Sequence, residues 1–259
     1  MNYIDFKLQD ATKVCVDALQ LRGFQVKETN GCIEFLASSA KDDLKHTMAI
    51  LNKLDIPFIM KGDNLIEVLV ISLPLSIYNK VARFGGNPYS IPYAECQTHW
   101  RYFLNHTFGI RINALEVEFN MAAFMKAANL AGIRVLSGCN GHKRNSPRFQ
   151  IVGVYYGAWF ETVQQLFMKD LSLNYEWKVL YQGETKAEIR AIGTEWDMER
   201  IHQDTMKMAE CLQKHAQVIR DLKVNAFGRR DVKAKQLANQ QHYSELVQWM
   251  LECAMNSCI

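Results

Sequence analysis

The stretch "LRGFQVKETNGCIEF", residues 21–35, holds a helix end, a strand, a tight turn and a second strand. Gly23 closes the helical rhythm set by Val14, Ala18, Leu19 and Leu21, since glycine takes the left-handed conformation that ends helices without steric cost. "QVKE" and "CIEFLAS" then flank Asn30 and Gly31. Asn-Gly between two β-prone runs is a strong hairpin signal, because both residues tolerate positive φ.

Outward from this hairpin, "AKDDLKHTMAILNKLDI", residues 40–56, reads as a helix. Ser39 is its expected N-cap, and Leu44, Met48, Leu51 and Leu54 are expected on its inward face. "PFIMK" and "LIEVLVIS" follow as a second hairpin around Gly62, Asp63 and Asn64. The second half of the chain repeats the order. "NMAAFMKAANLAGI" (120–133) is a helix, "RVLS" and "RFQIVG" are strands, and "GAWFETVQQLFMKDL" (157–171) is a helix with Trp159, Phe160, Val163 and Phe167 inward. "YEWKVLY" and "KAEIRAIG" close it around Gly183, with Lys186, Glu188 and Arg190 facing one way and Ala187, Ile189 and Ala191 the other. Leu21 to Val26 lines up with Leu130 to Val135. Agreement in element order, lengths and turns predicts an internal duplication.

The expected fold is therefore α+β, with two tandem αββαββα repeats, each an antiparallel sheet covered by helices, and with C-terminal helices. The first repeat takes residues 1–109, including a connecting helix in "YAECQTHWRYFLNHTFGI". The second takes 110–220, and a helical extension takes 221–259. Residues 194–222 read as one long amphipathic helix.

Composition fits this picture. A chain of 259 residues, 49% apolar, buries one large core or two smaller ones. Its most apolar run, Leu65 to Tyr78, contains Glu67 and Pro74 and falls short of the roughly 20 residues that span a bilayer. "MNYIDFKLQD" lacks the basic start and apolar run of a secretory signal. No membrane association and a cytoplasmic location are the expectations. The seven cysteines have no disulfide-framework spacing, and a formal charge of +3 neither requires nor excludes a polyanionic partner.

One departure from the repeat carries chemistry. The second-half counterpart of the Asn30-Gly31 turn keeps Asn140-Gly141 but continues as "SGCNGHKRNSPRF", an inserted loop over 137–148. Reversing the chain needs none of His142, Lys143, Arg144, Asn145 or Arg148, and functional residues collect on loops held by a rigid scaffold. As a polyanion contact, Lys143, Arg144 and Arg148 supply charge while His142 and Asn145 supply donors for phosphate oxygens. As a metal site, Cys139 and His142 form one C-x2-H pair and Cys96 and His99 another, together a Cys2His2 set suited to zinc. As a thiol site, Cys139 is the nucleophile with His142 as its partner. Set against these, Cys96 and His99 also suit the buried face of a helix beside Trp100 and Phe103, and a solvated loop needs no ligand. Arg229 and Arg230, in "GRRDVKAKQ", are a second cluster suited either to phosphate or to a plain interhelical loop.

The duplicated order, with "LAGIRVLSG" (130–138) and the more worn "LRGFQVKET" (21–29), resembles the monomeric two-repeat LAGLIDADG proteins. That family includes homing endonucleases and non-cleaving DNA-binding and RNA-splicing relatives. The resemblance implies a saddle of two sheets lying along a nucleic-acid duplex, with hairpin loops reaching the backbone or base edges. In the family an acidic residue near the motif's end holds the metal; here Glu28 takes that position in the first half and Ser137 in the second. One carboxylate does not build the paired-metal arrangement of in-line phosphodiester attack, so binding to DNA or RNA without nuclease activity is the leading expectation. Two alternatives stay open: a metal-dependent or thiol enzyme at Cys139 and His142, and a small-molecule (nucleotide) binding protein using the inter-repeat cleft. In the latter, Tyr155, Tyr156, Trp159, Tyr175 and Trp177 supply aromatic surface for a base.

Overall fold

Asp10 turns its side chain back to accept the Lys13 N–H at 2.7 Å, and helix α1 (Ala11–Leu21) starts there. Gly23, at φ +79°, ends it. These and the following features come from a computed structural model describing residues 8–24, 26–36, 41–84, 117–183, 185–227 and 232–256. Chain contacts group into two units, Met1–Thr107 with Ile112–Ala123, and Phe108–Arg111 with Phe124–Ile259. The fold is α+β, its sheets antiparallel.

In the first unit, β2 (Val26–Thr29) and β3 (Cys32–Phe35) turn at Asn30 and Gly31, both at positive φ as the hairpin reading requires. After α2 (Lys41–Lys53) come β4 (Phe58–Met60) and β5 (Leu65–Val68), giving the sheet order β2-β3-β5-β4. Val26, Ile33, Phe35 and Ile66 are buried on the face that meets α1, whose Val14, Cys15, Ala18 and Leu19 are buried too. Three expectations need correction here. The strand expected over 65–72 stops at Val68, and Ser72–Pro74 forms a separate strand, β6, paired with β1 (Leu8–Asp10). Leu75–Ala82 is a helix, α3, that begins within the apolar run ending at Tyr78 and buries Tyr78, Val81 and Ala82. On α2 the buried residues are Asp43, Thr47, Ile50 and Leu51, while Leu44, Met48 and Leu54 are half-buried. Two buried polar side chains displaced the apolar stripe.

The second unit is described together with α4 (Phe119–Leu130), an unbroken helix across the dividing point. α4 is followed by β7 (Val135–Cys139), β8 (Arg148–Val152), α5 (Gly153–Val163) with a π-helical turn over Gln164–Met168, β9 (Glu176–Gln182) and β10 (Lys186–Ile192). The sheet order is β7-β8-β10-β9. The two four-stranded sheets thus share one strand order, whereas β1 and β6 of the first unit form a separate pair. Phe124 of α4 packs on Phe149 of β8 at 4.2 Å, and Phe149 on Trp177 of β9 at 5.7 Å. The Asn129 amide ties α4 to the Val135 carbonyl at 3.1 Å. Where α4 ends, Arg220 and Lys223 donate to the carbonyls of Leu130 (2.6 Å) and Gly132 (2.8 Å), the position where cations best complement a helix terminus.

α5 covers the inner sheet face through buried Trp159, Phe160 and Val163, while Phe167, expected inward, is half-buried. Gly157 is what lets it approach: a Cβ there would lie 2.7 Å from Ala187 Cβ and 3.1 Å from Tyr181 Cε1. Gly157→Ala is expected to destabilise this unit by about 2 kcal/mol through overpacking, read as a fall of roughly 4–8 °C in melting temperature.

The helix expected as one piece over 194–222 is two. α6 (Met198–Lys214) ends at His215, which leaves helical geometry (φ −104°, ψ 9°) and packs its ring on Phe167 at 5.0 Å before α7 (Ala216–Phe227) begins. α8 (Val232–Asn239) and α9 (Tyr243–Asn256) complete the unit, α9 packing on α5. Asp204 of α6 is wholly buried and accepts from the Asn174 N–H (2.7 Å) and side-chain amide (2.9 Å), the Tyr175 N–H (2.9 Å) and Trp177 Nε1 (3.1 Å), pinning the start of β9.

His202, also buried in α6, has its pKa pushed down to about 4 by burial. A lowered folded-state value means that the unfolded chain takes up the proton first. This contribution is complete above pH 6.5, lost as pH falls from there to about 4, and constant below, amounting to about 3 kcal/mol. Denaturant titrations of the parent and His202→Gln across this range should show a steeper rise of stability with pH in the parent.

Candidate functional site

The β7–β8 connection is built as a buried stem with an exposed tip. Asn140 is fully buried and its side-chain oxygen accepts the His142 N–H at 3.0 Å. Gly141, at φ +76°, has no room for a Cβ, which would lie 3.2 Å from the Ser146 carbonyl carbon. Its own carbonyl accepts from the Arg144 and Asn145 N–H groups at 2.9 and 2.8 Å. At the far side the Ser146 hydroxyl donates to the Ala191 carbonyl, and the Ala191 N–H donates to the Pro147 carbonyl at 2.9 Å, fixing the loop to β10. His142, Lys143, Arg144 and Asn145 form the exposed tip. Asn140 itself is not left-handed (φ −79°), unlike Asn30; His142 and Lys143 take that conformation instead, at φ 52° and 61°. Such backbone costs on the order of 1 kcal/mol or more per non-glycine residue, and clusters at binding and catalytic sites.

Strand register places further cations beside the loop. Cys139 pairs with Arg148, Arg148 with Arg190 and Arg190 with Lys178, so one row crosses all four strands at the loop end of the sheet. Alternation is as expected in β10: Ala187, Ile189 and Ala191 are buried, while Lys186 is exposed and Glu188 and Arg190 half-buried. Glu188 contacts Arg190, and Glu176 lies 3.0 Å from Lys178, yet with Arg148, Lys186, Lys143 and Arg144 the cations outnumber these carboxylates. The open face of the first sheet is balanced instead. Lys27 meets Glu34 at 3.1 Å and Lys61 meets Glu67 at 2.8 Å. The Thr29 hydroxyl and Lys27 hold the Glu34 carboxyl below its ordinary range, and Glu67 holds Lys61 above its own.

Cys139 and His142 come together as the C-x2-H spacing suggests. The Cys139 sulfur and a His142 nitrogen lie within 4.8 Å of one another. The Gly141 N–H donates to Cys139 Sγ at 3.4 Å. Cys96, His99, Arg229 and Arg230 lie outside the described residues. Glu28 and Ser137 stand within strands β2 and β7, opposite Ile33 and Gln150.

Most of the aromatic surface expected to receive a base is engaged elsewhere. Trp159 and Trp177 are in the core, Tyr175 packs on Trp196 at 5.4 Å, and Tyr156 has Lys223 4.1 Å and Arg134 5.6 Å from its ring centre. Burial pushes Lys223 down to about 8. Among the described residues no helix is long and apolar enough to cross a membrane. Comparison of the chain with known protein families, with curated proteins and with solved structures finds no match.

Proposed function

We propose that this protein binds nucleic acid, DNA or RNA, on the open face of its second sheet, with the 140–147 loop gripping the backbone beside it and without cleaving it. The observation that carries this reading is the Arg148–Arg190–Lys178 row, continued by Lys143 and Arg144 at the loop tip. Successive strands stand about 4.8 Å apart, so such a row meets a phosphate backbone with a ladder of charges; neutralising phosphates supplies affinity, and base edges supply specificity. Ser137, where a second metal-holding carboxylate would be needed, speaks against hydrolysis.

Fluorescence anisotropy with labelled duplex DNA, single-stranded DNA and RNA over a salt series tests the proposal. The expected result is a linear fall of log K with log salt for at least one of the three. Salt-independent or absent binding to all three overturns it. The Cys139 and His142 pair, its sulfur and ring nitrogen within 4.8 Å of one another, favours a second reading, a metal-loaded or thiol-based site at the foot of the same loop.

A further inference from the structure

We infer that the Lys223 amine takes up carbon dioxide as a carbamate, whose negative charge pairs with Arg134 beside the ring of Tyr156. The inference stands apart from nucleic-acid binding, and every residue it uses belongs to the second unit.

Like charges meet at the foot of α4. Lys223 of α7 is half-buried; its Nζ donates to the Gly132 carbonyl at 2.8 Å and stands 4.1 Å from the centre of the Tyr156 ring. The guanidinium carbon of Arg134 lies 5.6 Å from the same centre. A Cβ on Gly132 would lie 3.9 Å from Lys223 Nζ and 3.3 Å from Arg220 Cγ, so the bare glycine seats the amine. Among the described residues no carboxylate pairs with Lys223 or Arg134. A ring face and a carbonyl oxygen attract a cation but cancel no charge. The cluster is short of one anion.

Carbamate formation supplies that anion from the amine itself. The nitrogen lone pair forms a bond to the carbon of carbon dioxide, one C=O bond opens to place the charge on oxygen, and one N–H proton passes to water. The other N–H stays and continues to donate to Gly132. A cation beside Arg134 becomes an anion, and repulsion becomes an ion pair. The reaction needs the free base. Burial, and then the charge of Arg134, push the Lys223 amine down to about 8, so that about a tenth of it is unprotonated at pH 7, against fewer than about one in a thousand for an ordinary lysine. Exposed lysines such as Lys233 and Lys235 of α8 have no such cluster to join.

The test uses the full chain incubated with carbon-13 bicarbonate, its carbamates trapped as ethyl esters with triethyloxonium and its peptides identified by mass spectrometry. An adduct on Lys223, absent from Lys233 and Lys235 and lost when the chain is denatured before trapping, is the expected result. Lys223→Arg abolishes it. Arg134 is exposed, so its variants probe the pairing without disturbing the core. Arg134→Gln lowers the trapped fraction about three- to tenfold, since the ion pair is lost and the amine regains protons; Arg134→Lys retains most of it and Arg134→Glu removes it. Tyr156→Phe, which keeps the ring, leaves it unchanged. Absence of the adduct from the folded chain, equal trapping on the exposed lysines, or trapping indifferent to Arg134→Glu overturns the inference.

Discussion

Asp204→Ala is expected to lower the stability of the second unit by about 3–5 kcal/mol, because four donors pointed at one buried carboxylate lose their acceptor together. Two of those donors are backbone N–H groups, at Asn174 and Tyr175, that cannot turn away toward other partners. The third and fourth are the Asn174 amide and the Trp177 indole, whose ring also packs on Phe149. A unit of this size loses roughly 2–4 °C of melting temperature per kcal/mol, so a drop of about 10 °C is the expected reading. Asp204→Asn keeps one acceptor oxygen and should fall between parent and Asp204→Ala. A loss below about 1 kcal/mol in Asp204→Ala would mean that β9 is held by its sheet neighbours alone.

Removing the cation row from the second sheet is expected to weaken nucleic-acid binding by about 100-fold at moderate salt, taking about 1 kcal/mol per charged contact. The variant carries Arg148→Gln, Arg190→Gln and Lys178→Gln, together with Glu188→Gln so that no carboxylate is left stranded beside the missing Arg190. If each cation meets a phosphate, the salt slope of log K shrinks by about 2–3. The matching experiment on the first sheet is Lys27→Gln with Lys61→Gln. Each of these lysines is matched by a glutamate, whereas the second-sheet row adds Arg148 to its two paired cations, so a smaller change, below about threefold, is expected. Equal effects from the two sheets, or an unchanged slope in the second-sheet variant, would move the binding surface elsewhere.

Much of this architecture was legible in the sequence because its signals are local. Gly23, Gly31, Gly132 and Gly183 all take positive φ where a helix end or hairpin was expected, and the alternation of β10 was read residue by residue. What stayed hidden depends on partners far away in the chain. α3 begins within the apolar run that ends at Tyr78, and α2 buries Asp43 and Thr47, which no apolar pattern marks. Arg148 was picked out as a loop residue, but its alignment with Arg190 and Lys178 exists only through strand register. The break at His215 escaped because its amphipathic pattern continues through it.

The anchoring of the loop to β10 through Ser146, Pro147 and Ala191 has a consequence for how such a surface diversifies. Asn140, Gly141, Ser146 and Pro147 anchor the stem, the Arg144 and Asn145 N–H groups bond back to Gly141, and the side chains of Lys143, Arg144 and Asn145 are exposed. Exposed tip side chains are thereby largely uncoupled from packing, the left-handed backbone at Lys143 being the one constraint, and behave as an exchangeable cassette on a fixed mount. Selection, natural or in a library, has three positions on which to rewrite ligand preference while leaving the mount and the core beneath it undisturbed.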